Sequence, residues 1–224
     1  PLSASGFALP GVAIAVLAVA HNGPTDWGFL MLGLMMAMAG ILIGPVLAAQ
    51  RQARRHLPLQ DYGLCTGLTQ PGQRGPALTN WLCTTIDDVA GLGPGAGPLT
   101  IGQLRARGIN VQTVTTDITT RRPYALPMGN NLHAFHEDEF RRLFPASVVD
   151  HMVRQSRQVS ADWGDATGKL RYFQSDDLPL VVLARMSLSF PGLIAAVPLY
   201  RIDYTLERLP PAQKVRRCLF SDGG

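Results

Sequence analysis

The chain has 224 residues, 46% of them hydrophobic, and a formal net charge of +4 carried mostly by arginine. That length suits one large domain, or one domain with an appendage, and the lack of an internal repeat excludes a solenoid. Three cysteines (Cys65, Cys83 and Cys218) without a Cys-x-x-Cys spacing argue against a disulfide framework or a zinc site, and no nucleic-acid-binding motif accompanies the basic charge.

The hydrophobic excess is local. Before Arg51 the only charged side chain is Asp26. Residues 9–20 are one apolar run, and Gly28–Gln50 is a second with no charge. A transmembrane helix needs about 20 mainly apolar residues, and the second run meets that length. Arg51, Arg54 and Arg55 follow it as a cytoplasmic flank would, and Trp27 stands where an interfacial aromatic would sit. Gly40 and Gly44 offer a face for close helix contact, and Pro45 predicts a kink. The alternative is a helix buried in protein, since a helix apolar all round is buried either way. The expectation is a hydrophobic helical segment over 1–56, membrane-associated, with the main domain over 57–224 on the cytoplasmic side.

Residues 57–76 are rich in Gly and Pro and read as a loop. Ala77–Ala90 then has Leu78, Trp81, Leu82 and Ile86 on one helical face. Asp87 and Asp88 near its end read as a solvated helix end rather than a cation site. Gly91–Pro98 is Gly-rich but interrupted by prolines, so it reads as a connecting loop rather than a phosphate cradle. Leu99–Gly108 predicts a short helix with Thr100 as N-cap. Ile109–Ile118, rich in Val and Thr, predicts a strand, with a turn at Arg121-Arg122-Pro123 and a return strand from Tyr124 to Leu126.

His133 and His136 precede Glu137, Asp138 and Glu139, but their spacing matches no metal-ligand set. Acids there suit the first turn of a helix, with Phe140, Leu143 and Phe144 on its buried face. Pro145 restarts a helix through Val148, Val149, Met152 and Val153. Residues 156–176 are polar and read as an exposed loop. Asp176 or Asp177 is the expected cap of a helix with Pro179 in its first turn. Ser187 and Ser189, on that helix, have no glycine elbow or histidine near them in sequence and read as packing residues. Val197–Tyr204 and Val215–Phe220 predict paired strands. The second runs into Ser221-Asp222-Gly223-Gly224. An acid at the carboxyl end of a strand stands where open α/β sheets place ligand sites, and two glycines permit positive φ and close backbone approach. The plain alternative is a polar turn.

Taken in order, several motifs carry a resemblance. They are Leu78-Thr79-Asn80-Trp81-Leu82, Thr115-Thr116-Asp117-Ile118-Thr119 with Arg122-Pro123-Tyr124, Glu139 to Pro145, Ala184-Arg185-Met186-Ser187-Leu188-Ser189-Phe190-Pro191-Gly192-Leu193, and Asp222-Gly223-Gly224. Over roughly residues 60–224 this set resembles bacterial patatin-like phospholipases with a hydrophobic helical insertion. The resemblance implies a three-layer α/β/α domain that hydrolyses lipid acyl esters through a Ser–Asp dyad, without cofactor or metal. It implies that Asp222 is the catalytic base and that Gly223 and Gly224 form its turn. Membrane lipid or another acyl ester is the implied substrate, with no nucleic-acid partner. The family's Gly-x-Ser-x-Gly elbow is not found in this chain, and neither is its Gly-rich oxyanion loop. The chain therefore reads as an internal fragment ending at the Asp-Gly-Gly motif, with its serine upstream. Asp117 is a second acid, which reads as structural. The rival reading is a non-enzymatic membrane-anchored module that keeps this fold.

Overall fold

The structure, a computed structural model, describes residues 26–93, 95–129, 132–163, 168–206 and 208–223. The chain divides into two compact units, residues 1–59 and 60–224. Apolar run 9–20 and Gly224 lie outside the described residues.

In the first unit, Asp26–His56 forms one helix of 31 residues, α1, with Pro45 inside it. Among the described residues no helix is long and apolar enough to cross a membrane, which overturns the expectation of a transmembrane helix over Gly28–Gln50. The side chains of Trp27, Arg54 and Arg55, and residue Gly40 of the proposed contact face, are outside what is described.

The second unit is built on one seven-stranded sheet. Its strands are β1 (Thr113–Asp117), β2 (Arg122–Leu126), β3 (His133–His136), β4 (Arg157–Gln158), β5 (Leu170–Tyr172), β6 (Val197–Ile202) and β7 (Val215–Asp222). Their order is β2-β1-β7-β6-β3-β5-β4, and every pairing is antiparallel. The helices are α2 (Leu78–Val89), α3 (Ile101–Ala106), α4 (Glu137–Arg141), α5 (Ala146–Gln155), α6 (Leu180–Leu188) and α7 (Pro211–Lys214).

Strand alternation puts Phe135, Val197, Leu199, Cys218 and Phe220 on one face of the sheet, where they join Cys83 of α2, Val148, Val149 and Met152 of α5, and Val182, Leu183 and Met186 of α6 in the main core. The other face carries a smaller cluster of Ala134, Val159, Leu170 and Ile202, edged by Trp163, Tyr172, Tyr200 and Val215. Among the described residues no α-helix contributes a side chain to that second cluster. The arrangement overturns the expected three-layer α/β/α domain. Parallel strands need long crossovers, whereas here β1 turns directly into β2 and β6 returns beside β7.

Several local expectations match the observed elements: α2, the hairpin of β1 and β2, the helices after Glu137 and Pro145, and the β6–β7 pair. Thr100 caps α3 with a full capping box, its side chain accepting from Gln103 and Gln103 reaching back. Other expectations are corrected. The first strand is shorter than Ile109–Ile118. His133–His136 is a central strand. Stretch 156–176 holds β4 and β5. Pro179, not Asp176 or Asp177, is the N-cap of α6.

Candidate functional site

Asp222 is the last residue of β7 and sits opposite Thr115 of β1. It is half-buried. Because its neighbours run antiparallel, the crevice rule for parallel sheets does not apply to this strand end. What defines the position is the way the backbone is pinned. The Asp222 N–H donates to the Ser189 carbonyl at 2.9 Å. The buried Ser221 hydroxyl donates to the same carbonyl. The Thr115 hydroxyl donates to the Ser221 carbonyl at 2.7 Å and lies 3.0 Å from the Met186 carbonyl. One residue on, a Cβ at Gly223 would fall 2.3 Å from the Val114 carbonyl oxygen, so only glycine fits. Gly223 is needed for close approach, not for a positive φ.

Ser189 ends α6. At φ −75° and ψ 87° it leaves helical geometry and turns its carbonyl toward β7. Its hydroxyl donates back to the Arg185 carbonyl at 2.6 Å and accepts from Arg185 Nη1. Ser187 donates to the Val114 carbonyl at 2.9 Å. All three serine hydroxyls near Asp222 are thus committed to backbone carbonyls.

Arg185 is 0% exposed. Its Nε donates to Thr79 Oγ1 at 3.0 Å, and Nη2 donates to the carbonyls of Thr66 at 2.8 Å and Ala195 at 3.1 Å. Burial pulls the guanidinium down to about 10, so it remains charged at neutral pH. The loop that receives it is tight. Gly67 has φ +76°, and a Cβ there would meet Thr79 Oγ1 at 3.0 Å and Arg185 Nη2 at 3.1 Å. Arg185 is not among the candidate residues that the sequence offers. The signal for it was a lone cation on an otherwise apolar helix, one turn before a serine.

The remaining candidates lie elsewhere. Asp117 is 0% exposed and accepts from the Thr119 N–H at 2.9 Å and the Thr120 hydroxyl at 2.6 Å, the bonds of a turn-forming acid. Asp87 accepts from the Leu99 N–H and the Cys83 thiol. The Gly91–Pro98 loop faces Asp87, Asp88 and Asp150 with the one cation Arg154 among the lining residues described, a net negative lining that disfavours an anion there; Pro94 is outside the described residues. His133 packs edge-on between Tyr124 and Phe220, and neither ring nitrogen has a hydrogen-bond partner among the described residues. Glu137, Asp138 and Glu139 are spent on Arg141, Lys169 and Arg217 respectively. Among the described residues no three His, Cys, Asp or Glu side chains are grouped to hold a metal ion.

The chain is 37% identical over 202 residues to the RpoH suppressor of Rhizobium meliloti (strain 1021); the match covers 84% of the chain and 31% of that protein. The chain therefore spans less than a third of the length of the curated relative it matches. No protein-family model matches, and no solved structure matches. These findings overturn the resemblance to patatin-like phospholipases: the relative carries a different name, and the sheet is antiparallel throughout.

Proposed function

We propose that this domain supplies the general base of an acyl-ester hydrolase, with Asp222 as that base. A serine hydroxyl from outside the described residues attacks the ester carbonyl. Asp222 takes its proton and returns it to the departing alkoxide as the acyl–serine ester forms; Asp222 then takes a proton from water, which attacks that ester, and returns it to the serine oxygen as the acid leaves. Ser187, Ser189 and Ser221 are poor nucleophiles because each already donates to a carbonyl. The chemistry requires neither metal nor cofactor.

One observation supports this reading: a half-buried carboxylate stands on a turn whose backbone is fixed from two sides, by the Ser189 carbonyl and by Val114. A base held in place acts without a reorientation cost. The substrate class follows from the surroundings. Leu188 and Phe190, on either side of Ser189, are 50% and 59% exposed, and nearby Leu64 and Leu193 are joined through the Leu64 N–H and the Leu193 carbonyl. Exposed apolar side chains flanking the residue that receives the Asp222 N–H suit an ester with an apolar acyl group.

A second reading is favoured by the similarity to a protein named RpoH suppressor. In that reading the domain works without catalysis and suppresses RpoH through a binding partner. Asp222→Asn in the full-length protein separates the two. On the first reading, ester turnover and serine labelling by a fluorophosphonate probe both fall. On the second, neither occurs in the parent protein, and RpoH-dependent output is unchanged by the substitution.

A further inference from the structure

We infer that Arg185 is the positioning residue for the Asp222 turn, acting through Ser189. The path is short and continuous. Arg185 Nη1 donates to the Ser189 hydroxyl, which donates back to the Arg185 carbonyl. These two bonds hold Ser189 in its non-helical conformation at the end of α6. The Ser189 carbonyl, so directed, accepts from both the Ser221 hydroxyl and the Asp222 N–H. The guanidinium is itself anchored to three separate segments: Thr79 of α2, Thr66 in the loop before it, and Ala195 ahead of β6.

Stability alone does not account for this side chain. Arg185 has no carboxylate within ion-pair distance among the described residues, and it is wholly buried. A charge removed from water without a counter-charge is costly, and apolar replacements of buried charged groups are often neutral or stabilising. What the arginine provides that a leucine would not is directional. Its planar fork addresses four acceptors at once, two hydroxyls and two carbonyls, on α2, the end of α6, the loop before α2 and the segment ahead of β6. An anion-binding role is ruled out by enclosure, since the guanidinium has no open face.

The placement of the turn stands on these contacts. Its value to catalysis rests on the proposed role of Asp222 as base. The test therefore has two readouts. The first is amide hydrogen exchange in Arg185→Lys, which keeps the charge but loses the fork. Loss of a charge-assisted hydrogen bond predicts at least about tenfold faster exchange at the Asp222 amide. The amides of Leu199 and Cys218 in the sheet centre are expected to keep their protection. Uniform acceleration across the sheet, or no change at Asp222, overturns the inference. Ser189→Ala is the milder variant and decides the matter if Arg185→Lys does not fold: selective loosening at Asp222 supports the inference, and unchanged exchange overturns it. The second readout is ester turnover by the full-length protein, where misplacement predicts a fall in kcat with KM little changed. If Asp222→Asn leaves turnover intact, the base reading fails while the exchange result still judges Arg185. If Asp222→Asn abolishes turnover and Arg185→Lys does not alter kcat, the positioning role fails by itself.

Discussion

Gly223 lies against Val114 so closely that a Cβ on the glycine would be 2.3 Å from the Val114 carbonyl oxygen. The contact joins β1 to the residue that follows Asp222, so the turn has no room to drift toward β1. Gly223→Ala must displace backbone and is expected to cost about 1–3 kcal/mol, the usual penalty of overpacking. Gly75→Ala is the control, since nothing lies within 4 Å of a Cβ there. It should stay within about 0.5 kcal/mol of the parent. Urea unfolding of both variants checks this; equal stabilities would mean that the turn tolerates a side chain.

His133 predicts an acid-sensitive step in stability. Burial, reinforced by Arg201 and opposed by Asp117, lowers it from 6.5 to about 4. The unfolded chain therefore binds a proton that the folded chain rejects between those values. The contribution is fully present above pH 6.5 and is lost as pH falls through about 4. The full difference is about 3 kcal/mol. His133→Phe keeps the aromatic packing against Tyr124 and Phe220 and removes the titration. Between pH 7 and pH 4.5 the parent should lose about 2 kcal/mol more than the variant in urea unfolding. Parallel pH profiles would show that His133 does not titrate with folding.

Thiol chemistry should divide the three cysteines. Cys65 is exposed, whereas Cys83 and Cys218 are buried, and burial pushes their thiols up to about 11 and about 12. The thiolate is the reactive form. A thiol reagent at pH 8 should therefore modify Cys65 rapidly in the native protein and all three only after denaturation. Rapid native labelling of Cys218 would place β7 in a looser setting than its core position implies.

Arg217 ties the loop at Asp61 to Glu139 of α4, at 2.7 Å and 3.0 Å. Asp61 has φ 51°, a conformation that asparagine also accepts. Asp61→Asn thus removes charge with little backbone strain. The expected cost is about 1–2 kcal/mol, toward the lower part of the range for hydrogen bonds to charged groups because the Arg217 side chain is 33% exposed. Thermal melting against the parent measures it, and an unchanged melting temperature would show that solvent screens the pair.

Local signals in the sequence were readable where local physics decides. Thr100 announces an N-cap, and the Val- and Thr-rich run before Asp117 announces a strand. Strand order is set by contacts distant in sequence, such as Thr115 with Asp222 and His133 with Arg201. No periodicity encodes them, and the antiparallel sheet was therefore missed. Strand β3 was hidden because its two histidines suggested chemistry rather than a strand. Strands β4 and β5 are two and three residues long, too short for an alternation to register. At the site, Asp222 and Gly223 were visible as an acid and a glycine ending a strand. Arg185 was not, because burial of a cation depends on hydroxyls and carbonyls that fold in around it. The membrane reading of α1 rested on a charge-free apolar run with an arginine flank, and among the described residues no helix is long and apolar enough to cross a membrane.

The most direct test of Asp222 as general base is steady-state turnover of a short-chain ester by the full-length protein and its Asp222→Asn variant, with thermal melting run beside it. Asparagine keeps the shape and the backbone N–H to Ser189 but removes the basic carboxylate. A positioned general base contributes about 10²–10⁴-fold, so a loss of kcat of at least that order is expected with melting unchanged. Equal turnover by the two folded proteins, or no turnover by either, would contradict it.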